Sequence, residues 1–289
     1  MVSTPFIVAD TLCRTGEGPI WSEIESVVYW VDIPTGTLYR YDPRAETYDI
    51  VFTSDESIGG FTLQSDGSML LFQEHGAIRH LRDGQVKTLR SEIEIERGGR
   101  FNDVIADPEG RVFCGTMPIG EVPGRLYRLD LDGSLHLVVE DAGLSNGMGF
   151  SPDLRTFYHA DSRNRWITMS DYDRVSGELT NRRVWHRTAD GDGVPDGLTV
   201  DVDGCVWVAQ WDGNCLIQLD PGGEELRRVV FPAKKVSSIT FGGADYRTVW
   251  VTTANVEGRE SEGNGAGALF QLQLDVVGRA EFLSQIRID

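Results

Sequence analysis

One unit recurs six times along this chain of 289 residues, and that repetition leaves few folds open to it. Its opening reads Asp196-Gly-Leu-Thr-Val-Asp-Val-Asp-Gly204, and Asn102-Asp-Val-Ile-Ala-Asp-Pro-Glu-Gly110 and Asn146-Gly-Met-Gly-Phe-Ser-Pro-Asp-Leu154 share the form. Gly59 to Gly67, Glu17 to Glu25 and Ser238 to Tyr246 match more loosely. The starts at 17, 59, 102, 146, 196 and 238 are spaced by 42, 43, 44, 50 and 42 residues. Three further runs follow each start, short and rich in β-branched or aromatic residues, bounded by Asp-Gly or Pro-Gly turns. No long apolar stripe of helical period appears, so helices should be minor. Four strands per unit predict an all-β, six-bladed β-propeller with antiparallel blades around a central channel. Residues 1–289 then form a single domain. Phe6 to Asp10 precedes Glu17 much as Leu137 to Asp141 precedes Asn146. That parallel makes it the outer strand of the last blade, closing the ring and covering an edge. Phe282 to Ile288 is expected beside it.

The first strand of each blade lines the channel, and its first residue is expected at one mouth. There the repeat places Glu17, Gly59, Asn102, Asn146, Asp196 and Ser238. Taken singly, Asn, Asp and Gly at a strand start are ordinary turn formers. The shared register and Glu17, which has no turn role, argue for more. Carboxylates buried together without a cation are costly, and a divalent ion removes the cost. Hard oxygen donors suit calcium, magnesium, manganese or related ions. The two carboxylates, Glu17 and Asp196, and the two carboxamides, Asn102 and Asn146, are therefore the candidate oxygen donors, with coordination positions left open to water and substrate.

The net charge of −18 disfavours nucleic acid and anionic lipid as partners. No apolar run approaches the roughly 18 residues that span a bilayer, and Met1 to Pro5 does not read as a secretion signal, so a cytoplasmic protein is expected. Cys13, Cys114, Cys205 and Cys215 show no metal-site spacing. A Cys205–Cys215 bridge is conceivable in reach but unexpected in a reducing compartment. His75, His80, His136, His159 and His186 lie mostly in strand-like runs away from the mouth. No Gly-x-Ser-x-Gly elbow, P-loop or dinucleotide fingerprint occurs.

The chain resembles the SMP-30/gluconolactonase family of regucalcin-like lactonases. The resemblance is carried by Gly16-Glu-Gly-Pro-Ile-Trp21, Val31-Asp-Ile33, Arg100-Phe-Asn-Asp103, Asp107-Pro-Glu-Gly-Arg111 and Gly115-Thr-Met117. It continues through Ser145-Asn-Gly147, Pro195-Asp-Gly197 and Phe241-Gly-Gly243. It implies hydrolysis of a sugar-acid lactone, of gluconolactone or xylonolactone type, to the aldonic acid. It also implies one divalent ion (calcium, zinc, magnesium, manganese or iron) on Glu17, Asn146 and Asp196. Arg100 and Asn102 match the family's substrate-binding pair. Glu121 is a further candidate, although the loop Pro118-Ile-Gly-Glu121 departs from the family's spacing. The ion would act as Lewis acid, with Asp196 as general base. The expected partner is a small-molecule lactone and the expected state a monomer or weak homo-oligomer. Two rival readings are a propeller esterase or phosphotriesterase and a non-catalytic metal-binding propeller.

Overall fold

The structure, a computed structural model, describes residues 3–288. The repeat unit translates into a turn that the sequence can make only one way. In the fifth unit the inner strand Val194–Val200 ends at Asp201, whose Oδ1 accepts hydrogen bonds from the backbone N–H groups of Asp203 and Cys205 at 3.1 and 2.9 Å. Gly204 then takes φ +85, a left-handed conformation natural to glycine. Asp107 and Gly110 repeat this in the third unit, where Asp107 Oδ1 accepts from Glu109 and Arg111. The turn returns the chain antiparallel, as Val206–Trp211, and two more strands follow, Cys215–Leu219 and Glu225–Val230.

Six such four-stranded antiparallel sheets form the blades of a β-propeller. Blades one to five are built from consecutive strands. Blade six combines Val236–Gly242, Thr248–Thr253 and Leu269–Gln273 with Phe6–Ala9, which pairs Phe6 with Gln271 and Ile7 with Phe270. The long interval after Asn146 comes from blade four, whose outer strand Leu179–Arg187 runs nine residues before a connecting loop.

Burial falls from the axis outward. Second strands such as Val27–Asp32, Met69–Gln73 and Val112–Thr116 are buried along their whole length. They lie between two neighbouring blades, so both faces are apolar and alternation is lost. Outer strands such as Thr47–Thr53 are mostly exposed. The core is accordingly a ring of inter-blade clusters; Trp207, Leu216, Phe231, Phe241 and Phe270 join blades five and six. Near the axis the inner strands run so close that side chains are excluded. A Cβ on Gly59 would lie 2.0 Å from the carbonyl oxygen of Phe101. One on Gly147 would lie 2.4 Å from that of Asp196.

Two sequence expectations, on strand register and on the C-terminal segment, need correction. Mouth residues are the second or third of their strands, not the first: Glu17 lies in Gly16–Ser22 and Asp196 in Val194–Val200. All four cysteines are buried and free, so Cys205 and Cys215 form no bridge. The segment Phe282 to Ile288 does not join Phe6–Ala9. Instead residues 277–287 form a strap across the far end of the channel. Val277 bonds Val202 of blade five, Ser284 bonds Leu63 and Ser65 of blade two, and Gln285 and Arg287 bond Gly110 and Leu131 of blade three. The ring of Phe282 packs on Phe150 of blade four. A strand's place on blade six was already filled, while the far ends of the inner strands needed a cover.

Glu281 of the strap lies beneath the channel, accepting a hydrogen bond from Thr199 at 3.4 Å. Burial pushes its carboxyl up to about 6, against the pull of Thr199 and Arg279. A carboxyl raised in the folded state resists losing its proton, so stability falls as pH rises from 4.5 to about 6. Glu281→Gln has no proton to lose. Its melting temperature should decline less than the parent's over that window in pH-resolved thermal denaturation. Gly59→Ala should lower the melting temperature by roughly 5 °C or more, because backbone rather than a movable side chain blocks the methyl group; calorimetry checks it.

Candidate functional site

Each inner strand slips register against its neighbour at the mouth. The slips fall between Glu17 and Ile20, Ile58 and Gly60, Phe101 and Val104, Ser145 and Met148, Pro195 and Leu198, and Val236 and Ser238. Such bulges re-aim side chains that a regular pleat would send elsewhere. They bring Glu17, Asn102, Asn146 and Asp196, each only 4–5% exposed, to the channel mouth. Gly59 offers backbone alone, and Ser238 lines a smaller cavity of about 60 Å³ deeper in the channel.

A chain of hydrogen bonds fixes the two amides. Arg100 Nη1 donates to Asn102 Oδ1 at 2.7 Å, and Asn102 Nδ2 donates to the Ser145 carbonyl at 2.9 Å and to Asn146 Oδ1 at 3.2 Å. Asn146 Nδ2 donates to Ser162 Oγ at 2.9 Å, and that hydroxyl donates to the Pro195 carbonyl at 2.6 Å. The nitrogens of both side chains are thereby committed, which settles the amide orientation and leaves Asn146 Oδ1 as an oxygen donor at the site.

The carboxylates are strained electrostatically. Burial pushes the Glu17 carboxyl well above its usual range, and Asp196 and Asp103 push it further, opposed by the Gly18 N–H and Arg100. Asp196 is raised in the same way by burial and by Asp103, opposed by Asn146, Arg100 and Gly197. Asp103 is raised to about 7 by burial, with Arg100 pulling down. Arg100 is lowered by burial against the pull of these three carboxylates and Glu74. Three carboxylates against one guanidinium leave two negative charges when all are ionised. Oxygen donors from Glu17, Asn146 and Asp196 with that charge surplus fit a hard divalent cation. Among the described residues no three His, Cys, Asp or Glu side chains form a metal-holding group, in keeping with a donor set that includes an amide.

Above these groups opens a cavity of about 550 Å³, lined by Glu17, Arg100, Asn102, Asn146 and Asp196. Glu121 does not line it. Its carboxylate is fully exposed and pairs with Arg163 at 3.3 Å, and Arg163 does line the cavity. Sequence reasoning passed over Asp103, Ser162, Arg163 and Trp211. Asp103 follows a mouth residue and becomes visible only through the bulge. The other three stand on loops or strand ends outside the repeated opening. His159 meets Ser145 Oγ at 2.7 Å, but both are buried and burial pulls the imidazole down to about 3, so this serine–histidine contact is a neutral structural pair.

Comparison with known proteins bears on the family and the fold. The sequence model of one family, described as SMP-30/Gluconolactonase/LRE-like region, matches residues 15–255. The chain is 43% identical over 288 residues to the pentonolactonase XacC of Haloferax volcanii, covering 97% of this chain and 98% of the relative. It is 33% identical over 273 residues to regucalcin of Bos taurus, covering 90% and 91%. Among solved structures, a luciferin-regenerating enzyme superposes with a TM-score of 0.90 at 26% identity, covering 99% of this chain and 100% of that one.

Mutual repulsion at the mouth predicts a stability effect opposite to the usual one. In a chelator-treated sample, Asp196→Asn should raise the melting temperature by roughly 2–5 °C, because it removes one buried charge while keeping its shape. Differential scanning fluorimetry with and without chelator checks it.

Proposed function

The chain belongs to the SMP-30/gluconolactonase family, and on that premise we propose that it hydrolyses a sugar-acid lactone to the aldonic acid, with one divalent cation held by Glu17, Asn146 and Asp196. It is a carboxylic ester hydrolase. One observation carries the reading: two buried carboxylates, Glu17 and Asp196, meet Arg100 and the amides of Asn102 and Asn146 at the floor of an open cavity, with Asp103 close enough to add its charge. A partner-binding propeller has no use for charges held at such cost. The pentonolactonase named above supports a sugar lactone as substrate. The ring is of the gluconolactone or xylonolactone type.

A lactone is a cyclic ester, so the site must place its carbonyl, supply a water and accept a proton. When bound, a divalent ion such as calcium, zinc, magnesium, manganese or iron supplies Lewis acidity toward the ester carbonyl. Asp196, buried at the floor of the cavity, takes the proton of the attacking water. Arg100 and Asn102 hold ring hydroxyls. Their own hydrogen bond at 2.7 Å fixes the guanidinium before substrate arrives, so little freedom is lost on binding. Asn146, oriented by Asn102 and Ser162, would offer its oxygen to the ion. Glu121, exposed outside the cavity, acts only through its ion pair with Arg163, which lines the rim.

The test is turnover of a panel of aldonolactones beside aryl esters and phosphotriesters, with chelation and metal replacement. Hydrolysis should be confined to lactones, vanish with chelator and return with a divalent ion. Asp196→Ala should cut kcat by about 10²-fold or more while circular dichroism stays unchanged. Turnover of phosphotriesters alone, or of nothing, sinks the reading. Asn102→Ala should raise KM for hydroxylated lactones more than it lowers kcat, measured by initial rates.

A further inference from the structure

Trp211 is the one aromatic side chain lining the mouth cavity among the described residues. It ends the second strand of blade five and pairs with Val194, two residues before Asp196 on the inner strand. The ammonium of Lys235 stands 5.5 Å from the centre of its ring. Lys235 is buried and does not line the cavity, so the ring is backed on one face by a charge held outside the opening that Trp211 lines.

The lysine is held firmly. Its Nζ meets Asp212 Oδ1 and Glu262 Oε1, each at 2.8 Å. Burial would pull the ammonium down, but the two carboxylates more than reverse this and its pKa is raised, so the charge under the ring is permanent at neutral pH. Glu262 is buried at the end of the short helix Arg259–Glu262, and its Oε2 accepts a hydrogen bond from the Val256 N–H at 2.7 Å. Val256 also lines the cavity. A single ion cluster therefore fixes an indole on blade five and a loop residue on blade six around the same opening.

We propose that Trp211 is the specificity-determining platform on which the C–H face of the lactone ring lies, and that Lys235 is a positioning residue that holds it there. The inference rests on the lactonase reading above. Ring C–H bonds beside a carbonyl carry partial positive charge, and an indole face carries negative potential. The platform selects by configuration: lactones with one hydroxyl-free face bind, and epimers that turn a hydroxyl onto the indole lose the contact and strand a polar group against it.

Two readouts test this on the metal-loaded full chain. Steady-state kinetics are measured on epimeric aldonolactones, and calorimetry follows binding of 1,5-anhydro-D-glucitol, a ring polyol that cannot be hydrolysed. Trp211→Ala should raise KM about tenfold with kcat within about threefold, and weaken the anhydroalditol to match, while Trp211→Phe keeps most of both. Lys235→Met should raise KM in the native background but add nothing to Trp211→Ala, and Lys235→Arg should restore the parent value. Unchanged KM and unchanged anhydroalditol affinity in Trp211→Ala overturn the platform while leaving the hydrolase reading intact. If the parent turns over no lactone, the hydrolase reading fails, and the calorimetric arm still decides: loss of binding in Trp211→Ala upholds the platform, and equal binding, or none by the parent, overturns it. The tryptophan variants keep the test open even if Lys235→Met, which leaves Glu262 unpaired, does not fold.

Discussion

The carbonyl oxygen of Phe101 sits where a side chain at position 59 would have to begin, and the same crowding recurs where blade four meets blade five. Inner strands this close cannot all carry side chains at the axis. Glycine takes the tight places, at 59, 147 and 197, and polar residues take the rest. Each strand then bulges at the crowded point, and the bulge turns Glu17, Asn102, Asn146 and Asp196 into the mouth. The functional groups are thus a by-product of closing six blades around a narrow axis. Their separation in sequence costs nothing, because the ring brings every inner strand to the same place.

Crowding also explains the chemistry. Charges forced together without water hold their protons or attract a cation, and Glu17, Asp103 and Asp196 share one guanidinium between them. The hydrogen-bond chain from Arg100 to Pro195 crosses three blades and leaves no amide free to turn. Rigid placement comes from the scaffold, and the loops around the rim are left to vary. Arg163, Trp211 and Val256 all belong to that rim, on loops or strand ends of blades four, five and six.

Much of this was legible in the sequence because the repeat is a local signal. The Asp-x-x-Gly turns of Asp107 and Asp201 reappear as hydrogen-bonded turns, and their spacing counts the blades. Four mouth residues could be named from register alone. What the register could not carry was long-range. Asp103 needs a bulge to face the axis, and bulges leave no mark in an alternating pattern. Lys235 of blade six meets Asp212 and Trp211 of blade five, and no spacing encodes that contact. The fate of the C-terminal segment was misread because its apolar residues look strand-like, while Ile286 is buried against blades two and three rather than paired on an edge.

The strap has a consequence for traffic. It crosses the far end of the channel, while the cavity in which the proposed chemistry lies opens at the mouth. On the proposed reaction, a neutral ring enters and an anion must depart by the same door. Exchange is then single file: a lingering product bars the next guest. Beyond the mouth, a chain of net charge −18 disfavours the return of an anion once it is released. The acidity of the protein, uninformative about its fold, becomes a means of keeping the site clear.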